Sequence, residues 1–180
     1  MIIRTIDPGL HRVAIGTYKI HDGKIVCLGL EEIRNDDKLK APNQALPILK
    51  SVATYCTRDY KFDAVLIEAP HESFACDLNK VSGASAVHYI HLDAPVTFIN
   101  PSSWTSCVAK EDRLPQLEIV AGEALKTIQD SDYSKMSIAN FIDTLGMAVW
   151  YGLGYKYKRP KKDTKCVTKK TKTKPVSRKR

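Results

Sequence analysis

The sequence predicts one α/β domain, built on a five-stranded mixed sheet flanked by helices and followed by a disordered tail. Three observations predict it. Short runs of apolar and β-branched residues recur along the chain and are typical of strands. Apolar residues at helical spacing fill the segments between the later runs, and residues 156–180 have no apolar periodicity. The chain has 180 residues, which is enough for one domain with a substantial core.

The first three predicted strands follow one another with short connections. They cover Ile2–Asp7, Val13–Ile20 and Lys24–Glu31, and the turn His21-Asp22-Gly23 leads into the third. Strands joined in this way pair antiparallel. We therefore expect an antiparallel meander.

Two later strands are each reached through a helix. Helical spacing covers Asn43–Arg58 and Phe74–Leu92, and the short apolar runs Phe62–Glu68 and Val96–Asn100 follow them. A strand that follows a crossover helix adds in parallel to its sheet. These two strands should therefore be parallel to the first strand.

A polar segment and two further helices are predicted to complete the domain. The helices run from about Pro115 to Gln129 and from Ser137 to Leu153. Trp104 and Trp150 are interpreted as core residues. The domain thus spans residues 1–155.

Three acidic residues lie on elements that are otherwise apolar. Asp7 ends the first strand, Glu68 ends the fourth, and Asp143 lies within the nearly uncharged last helix. A carboxylate in apolar surroundings is costly unless a cation or a hydrogen-bond donor compensates it. If the three converge, they form an all-oxygen site that suits a divalent metal ion. Asn140, three residues before Asp143, shares its helix face and adds a fourth oxygen.

The net charge of +8 is unevenly distributed. Residues 156–180 hold 13 Lys or Arg and one acid, whereas residues 1–155 carry a net charge of −4. Such a tail cannot bury enough surface to fold. A disordered cationic arm binds nucleic acid without reading sequence. A solubilising or targeting role is the alternative.

Cysteine spacing and hydropathy indicate the compartment. The five cysteines form no C-x-x-C pair, which argues against structural zinc and favours a reducing environment. An acid and a proline interrupt the start of the chain, unlike a signal peptide. No apolar run approaches the roughly 20 residues of a membrane span. We expect a soluble protein in the cytoplasm, or in the host-cell cytoplasm if it is viral, without a membrane partner.

In three motifs the chain resembles the RuvC family of Holliday junction resolvases, which have a ribonuclease-H-like fold. These motifs are Ile6-Asp7-Pro8-Gly9, Ile67-Glu68-Ala69 and Asp143-Thr144-Leu145-Gly146-Met147-Ala148. Their order and spacing match over the whole predicted domain but not over the tail. The basic tail and the altered junction-binding residues are more typical of a phage or other viral member.

The resemblance implies a homodimeric endonuclease that cuts branched DNA such as four-way junctions by paired symmetric nicks. Two Mg²⁺ ions per active site, for which Mn²⁺ substitutes, would catalyse phosphodiester hydrolysis. Asp7 would bridge both ions, Glu68 would complete one metal site, and Asp143 with Asn140 would complete the other. The family has an acid where Asn140 stands, so the second ion should be held more weakly here.

The resemblance also implies residues that contact DNA. Lys110 falls where the family places a catalytic cation near the scissile phosphate, and Arg113 follows it; a solvated surface pair beside Glu111 and Asp112 is the alternative. His71 and Phe74 lie near the position of the family's aromatic wedge. The tail adds further contacts through Lys156, Lys158, Arg159, Lys161 and Lys162. His88 and His91 are interpreted as part of a dimerisation helix, with a zinc pair as the alternative.

Three other functions remain open from the sequence. One is a branched-DNA-binding protein of the same fold that cuts weakly or not at all. Another is a nuclease that acts on RNA–DNA hybrids or on other branched DNA. The third is a phosphotransferase of the actin and sugar-kinase kind, which needs a duplicated fold that 180 residues do not show.

Overall fold

Five strands form one mixed sheet in the order β3-β2-β1-β4-β5. The structure is a computed structural model and describes residues 1–34, 61–69, 81–86 and 94–160. The strands are β1 (Ile2–Asp7), β2 (Arg12–His21), β3 (Lys24–Arg34), β4 (Ala64–Glu68) and β5 (Val96–Ile99).

The strand pairing confirms the predicted sheet. β1 lies in the middle, antiparallel to β2 and parallel to β4. β3 is antiparallel to β2, and β5 is parallel to β4. The largest difference in strand bounds is at β3, which continues to Arg34 where the sequence predicted an end at Glu31.

Three helices have described bounds: α1 (Pro101–Thr105), α2 (Lys110–Gln129) and α3 (Lys135–Leu153). Residues 81–86 are also helical, whereas the rest of the predicted helix Phe74–Leu92 and all of Asn43–Arg58 lie outside the described residues. The predicted start of α2 near Pro115 is wrong, since α2 begins at Lys110 and includes that proline. In the part of the chain that is described, no helix is long and apolar enough to cross a membrane.

Helix α3 packs closely on the centre of the sheet. A Cβ atom at Gly16 of β2 would lie 2.5 Å from the Tyr18 ring and 2.6 Å from Thr144 Oγ1 of α3, so only glycine allows this approach. The Tyr18 hydroxyl is hydrogen-bonded to that Thr144 oxygen at 2.7 Å. Since Tyr18 and Thr144 are both buried, this bond fixes α3 over the sheet.

The first turn of α3 is tied to the sheet by polar contacts. Ser134 caps the helix by accepting a hydrogen bond from the backbone N–H of Ser137. From β2, Arg12 donates to the hydroxyls of Ser134 and Ser137 at 3.1 and 3.0 Å. These bonds set the rotation of α3 about its axis and hence the direction of Asp143.

The chain remains packed after α3, beyond the boundary predicted at residue 155. Tyr157 is buried, and the backbone N–H and C=O of Lys158 are both hydrogen-bonded to the side chain of Gln116. Tyr157 and the backbone of Lys158 are therefore packed against the domain. Residues 161–180 lie outside the described part of the chain.

Candidate active site

Asp7 and Glu68 lie side by side at the ends of the two central strands. Ile6 is paired with Ile67 in the parallel ladder. The residues that follow them, Asp7 and Glu68, are therefore neighbours on adjacent strands. Alternation along β1 and β4 places both carboxyl groups on the sheet face that α3 covers, the face of Ile3 and Leu66. The two carboxyl groups are close enough for each to shift the pKa of the other.

Asp143 reaches the same site from α3. Its charge is close enough to raise the pKa of both Asp7 and Glu68. The three acidic residues named in the sequence analysis therefore converge, and each comes from a different element.

Negative charge is crowded in this site, and the pKa values of Asp7 and Glu68 are raised. Burial raises the pKa of Asp7 well above its ordinary value, and the charges of Glu68 and Asp143 raise it further, against the opposing effect of Lys110. Burial and the charge of Asp143 also raise the pKa of Glu68. Burial and neighbouring negative charge therefore oppose the ionisation of both strand-end carboxyl groups.

Two cations on the first turn of α2 face the carboxylates. Lys110 Nζ lies 2.5 Å from Asp143 Oδ2 and donates to the backbone oxygen of Ala139 at 2.6 Å. Arg113 Nη2 lies 3.4 Å from Asp143 Oδ1. Lys110 and Arg113 are three residues apart, so they share one helix face. The geometry favours the interpretation of Lys110 as part of the site over that of a solvated surface residue.

Arg113 is held between its ion pair and two aromatic rings. It is only 7% exposed, and its guanidinium lies 4.5 Å from the centre of the Trp104 ring and 5.8 Å from that of Tyr157. The Trp104 N–H also lowers the pKa of Glu68, although it makes no hydrogen bond of ordinary geometry with a described residue. Arg113, expected to contact DNA, lies largely buried beside Asp143, and its contact with DNA stays a prediction.

The chemistry of these residues fits a divalent cation. Asp7, Glu68 and Asp143 offer carboxylate oxygens, which Mg²⁺ prefers as ligands. Burial, and after it the charges of Glu68 and Asp143, raise the pKa of Asp7, and a bound metal ion would oppose this effect. Within the described ranges, however, no three His, Cys, Asp or Glu side chains form a ready metal-binding group. Asp143 is instead paired with Lys110 and Arg113.

Asn140 lies one turn before Asp143 on α3 and is partly exposed. Its side chain makes no hydrogen bond to another described residue, and its amide oxygen is of the type that binds a divalent ion. Its role as a metal ligand stays a prediction.

The remaining predicted DNA contacts fall into two groups. Lys156, Lys158 and Arg159 are exposed and follow α3 directly. The others lie outside the described residues, as do both members of the histidine pair: His71, Phe74, Lys161, Lys162, His88 and His91.

Sequence reasoning missed Trp104 and Tyr157 as parts of this site. Trp104 was assigned to the core, which its burial bears out, but its ring also contacts Arg113. Tyr157 lies in a lysine-rich segment that predicted disorder. The aromatic residues that alternate with lysines at Tyr155 and Tyr157 were the one available signal.

Comparison with known proteins gives matches in structure alone. No protein-family model and no curated protein matches the sequence. Thermus thermophilus RuvC, solved with Holliday junction substrate, has a TM-score of 0.63 at 18% identity, covering 85% of this chain and 94% of that one. The fowlpox virus resolvase, solved with Holliday junction DNA, has a TM-score of 0.52 at 17% identity, covering 85% and 99%. The yeast mitochondrial Holliday junction resolvase has a TM-score of 0.50 at 12% identity, covering 80% and 77%.

These matches confirm the predicted fold. The chain has the ribonuclease-H-like fold of the RuvC-type resolvases, and the resemblance drawn from three short motifs is confirmed at that level.

Proposed function

We propose that this protein is a metal-dependent endonuclease that cuts four-way or otherwise branched DNA. The observation that carries the proposal is the convergence of Asp7, Glu68 and Asp143 from three elements, with Lys110 beside them. The fold shared with solved Holliday junction resolvases supports it. A structural scaffold has no need of three carboxylates in one partly buried site, because their repulsion destabilises the fold.

Asp7, Glu68 and Asp143 would hold Mg²⁺, with the amide oxygen of Asn140 as a further ligand. When bound, Mg²⁺ neutralises charge on the scissile phosphate and activates a water molecule for hydrolysis. The sparse ligand set is typical of magnesium, which keeps several waters and accepts phosphate oxygens. Mn²⁺ prefers similar ligands and would substitute for it.

The residues of the chain would contribute placement and charge. Asp7 and Glu68 would bind the ion as carboxylates, because ionised oxygens are the better ligands. Lys110 is bound by Asp143 and the Ala139 carbonyl, and its ammonium stands at the edge of the carboxylate site. From there it would contact a phosphate oxygen of the substrate and stabilise the charge that develops during cleavage.

The number of metal ions depends on Asn140 and Lys110. The resemblance to the RuvC family implies two ions, but here one of the four expected carboxylates is an amide. The Lys110 ammonium already neutralises Asp143. A second ion would compete with Lys110 for this carboxylate, so we expect the second site to fill only at high metal concentration.

Branched DNA and a homodimer belong to the same proposal. Two proteins of this fold were solved in complex with a Holliday junction as substrate. A two-fold dimer would present two active sites to a two-fold junction, and each protomer would nick one strand. The exposed Lys156, Lys158 and Arg159 supply phosphate contacts beside the site. We place the protein in the cytoplasm, or in that of the host cell.

The direct test is cleavage of end-labelled four-way junctions by the purified full-length protein, with and without Mg²⁺. Linear duplex and RNA–DNA hybrid of the same sequences serve as competing substrates. We expect paired nicks in the junction that need Mg²⁺, and no cleavage by Asp7→Asn. Preferential cleavage of the hybrid would assign a different substrate, and cleavage retained in Asp7→Asn would place the chemistry elsewhere.

A second function is favoured by one observation. Asn140 stands where the RuvC family has a carboxylate, and Lys110 is paired with Asp143. The protein could therefore bind branched DNA without cutting it efficiently. Tight junction binding without Mg²⁺-dependent nicks, at any metal concentration tested, would support this binding protein over the nuclease.

A further inference from the structure

The segment that follows α3, residues Tyr155–Pro160, folds back on α2; we call it the strap. Gly154 ends α3 in the left-handed conformation at φ 64°, which turns the chain back. The Gln116 side chain of α2 then holds it. Its amide donates to the Lys158 carbonyl at 2.9 Å and accepts from the Lys158 N–H at 2.9 Å. Gln116 also accepts a bond from the Tyr155 hydroxyl at 3.2 Å.

Side chains of the strap alternate between the domain and solvent. Tyr155 and Tyr157 face inward and contact each other edge to face at 5.5 Å, whereas Lys156 and Lys158 are exposed. Tyr157 is the innermost, at 4% exposure. Its hydroxyl has no hydrogen-bond partner among the described residues, so the ring rather than the polar group is what it contributes.

The Tyr157 ring is packed against the arginine of the active site. It contacts the guanidinium of Arg113, whose other aromatic contact is Trp104. Gly146 of α3 makes room for this cluster, because a Cβ there would lie 2.5 Å from the Trp104 ring and 3.2 Å from the Tyr157 hydroxyl. The arginine Nε has no hydrogen-bond partner within the described residues, and the bond from Nη2 to Asp143 is long at 3.4 Å, so the rings supply much of the contact that positions the guanidinium.

We propose that the strap is a positioning element of the active site, in which Tyr157 holds Arg113 against Trp104 and towards Asp143 and Glu68. A free arginine side chain samples many rotamers, and the two rings restrict it to the one that faces the carboxylates. Gln116 fixes the strap and therefore acts through Tyr157. The proposal rests on the proposed nuclease function, because it assigns the strap a part in that site.

The first test compares two variants of Tyr157 in the full-length protein. Tyr157→Phe keeps the ring and removes only a hydroxyl that has no partner among the described residues, whereas Tyr157→Ala removes the ring. Single-turnover cleavage of a four-way junction should slow about tenfold or more in Tyr157→Ala, since small displacements of active-site groups have effects of this size. Tyr157→Phe should cleave as the wild type does, and the Kd for the junction should be unchanged in both.

Two outcomes would overturn the proposal. Wild-type cleavage by a folded Tyr157→Ala would show that the ring does not position the site. Equal losses in Tyr157→Ala and Tyr157→Phe would assign the effect to the hydroxyl. If Tyr157→Ala does not fold, the same comparison is made with Gln116→Ala, which releases the strap but leaves its rings intact. Its cleavage rate should fall, and an unchanged rate would contradict the proposal.

A second readout does not depend on cleavage. In NMR spectra, the Arg113 Nε–H signal should be shifted by the ring currents of Trp104 and Tyr157 and should exchange slowly with solvent. Tyr157→Ala and Gln116→Ala should both remove the slow exchange, whereas Tyr157→Phe should preserve it. An Arg113 signal unaffected in the folded variants would contradict the strap's role. A wild-type protein that never cleaves DNA would instead overturn the proposed function and leave this measurement valid.

Discussion

Asp7 is in the most unfavourable position of the three acids. It lies at the end of the central strand, where burial and two neighbouring carboxylates oppose its charge. The charge of Lys110 offsets part of this effect, yet that lysine is bound to Asp143. An unfavourable charge that the fold keeps in place is typical of a functional site.

The raised pKa of Asp7 predicts a specific pH dependence of stability. Because the folded pKa exceeds the unfolded value of about 3.8, the contribution of Asp7 is fully present below that value and is lost as the pH rises through the folded pKa. Asp7→Asn should therefore raise the metal-free Tm, and by more at pH 7.5 than at pH 4.5. Thermal unfolding of both proteins in EDTA measures this difference.

Mg²⁺ provides the control for this prediction. It should raise the Tm of the wild type, because ligands that bind the folded state stabilise it, and should raise that of Asp7→Asn much less. A Tm difference that does not vary with pH would contradict the assigned pKa shift. Equal stabilisation of both proteins by Mg²⁺ would contradict the assignment of Asp7 as a ligand.

Asn140 predicts a weakened affinity for metal. Replacing it with Asp would restore a fourth carboxylate one turn from Asp143 and increase the attraction for a divalent ion. In Asn140→Asp the Mg²⁺ concentration for half-maximal junction cleavage should fall several-fold. Asn140→Ala, which removes the oxygen ligand, should need more Mg²⁺ than the wild type. Identical metal titrations for all three proteins would exclude position 140 from the site.

At the scale of elements, the approach of α3 to the sheet decides where Asp143 lies. Gly16→Ala would place a methyl group against Tyr18 and Thr144, both buried, and should destabilise the protein by about 1–3 kcal/mol. Gly29→Ala, on β3 of the same sheet, meets nothing within 4 Å and is the matched control. Denaturant unfolding measures both. Equal stabilities of Gly16→Ala and Gly29→Ala would contradict the close packing of α3.

The elements that the sequence predicted well are those with a strong local pattern. β1 agrees in both bounds, and β4 in its end at Glu68, because each is an apolar run closed by an acid. The acids themselves were identified because charge within apolar runs is conspicuous. The convergence of those acids, by contrast, depends on strand order and register, which the sequence indicated only through the crossover pattern and the family resemblance.

The start of α2 could not be predicted by the same reasoning. Proline is common in the first turn of a helix, so Pro115 indicated a start there. The helix begins at Lys110 instead and accepts the loss of one backbone hydrogen bond at the proline. The helical residues that this prediction left out include Lys110 and Arg113. The predicted helix therefore could not show that both cations share one face of α2. The strap was missed for a similar reason, since in composition its lysines outweighed the buried Tyr157 and the half-buried Tyr155.

At the scale of the whole molecule, the strap separates two parts of very different charge. Residues 1–155 have a net charge of −4, and the acidic cluster of the candidate active site lies within them. Polyanionic DNA would be repelled by such a domain without compensating cations. The strap carries Lys156, Lys158 and Arg159 on its exposed side, and the sequence beyond it continues with ten Lys or Arg and one acid over residues 161–180.

Deletion of residues 161–180 should therefore weaken DNA binding while leaving the active site intact. The truncation keeps the strap, so Tyr157 and Gln116 retain their interactions with the domain. The Kd for a four-way junction should rise, and the slope of log K against log salt should become less negative by about 0.9 for each phosphate that the shortened chain no longer neutralises. Fluorescence anisotropy over a series of salt concentrations measures both quantities.

Cleavage by the truncated protein distinguishes attraction from catalysis. At saturating protein, the single-turnover rate should match that of the full chain, because the carboxylates and Arg113 are unaffected. A longer deletion, of residues 155–180, removes the strap as well and should lower that rate in addition to the affinity. If the shorter deletion leaves the salt slope unchanged, the tail does not contact DNA. If the two deletions cleave at equal saturating rates, the strap has no part in the catalytic step, and the basic residues after α3 contribute only charge.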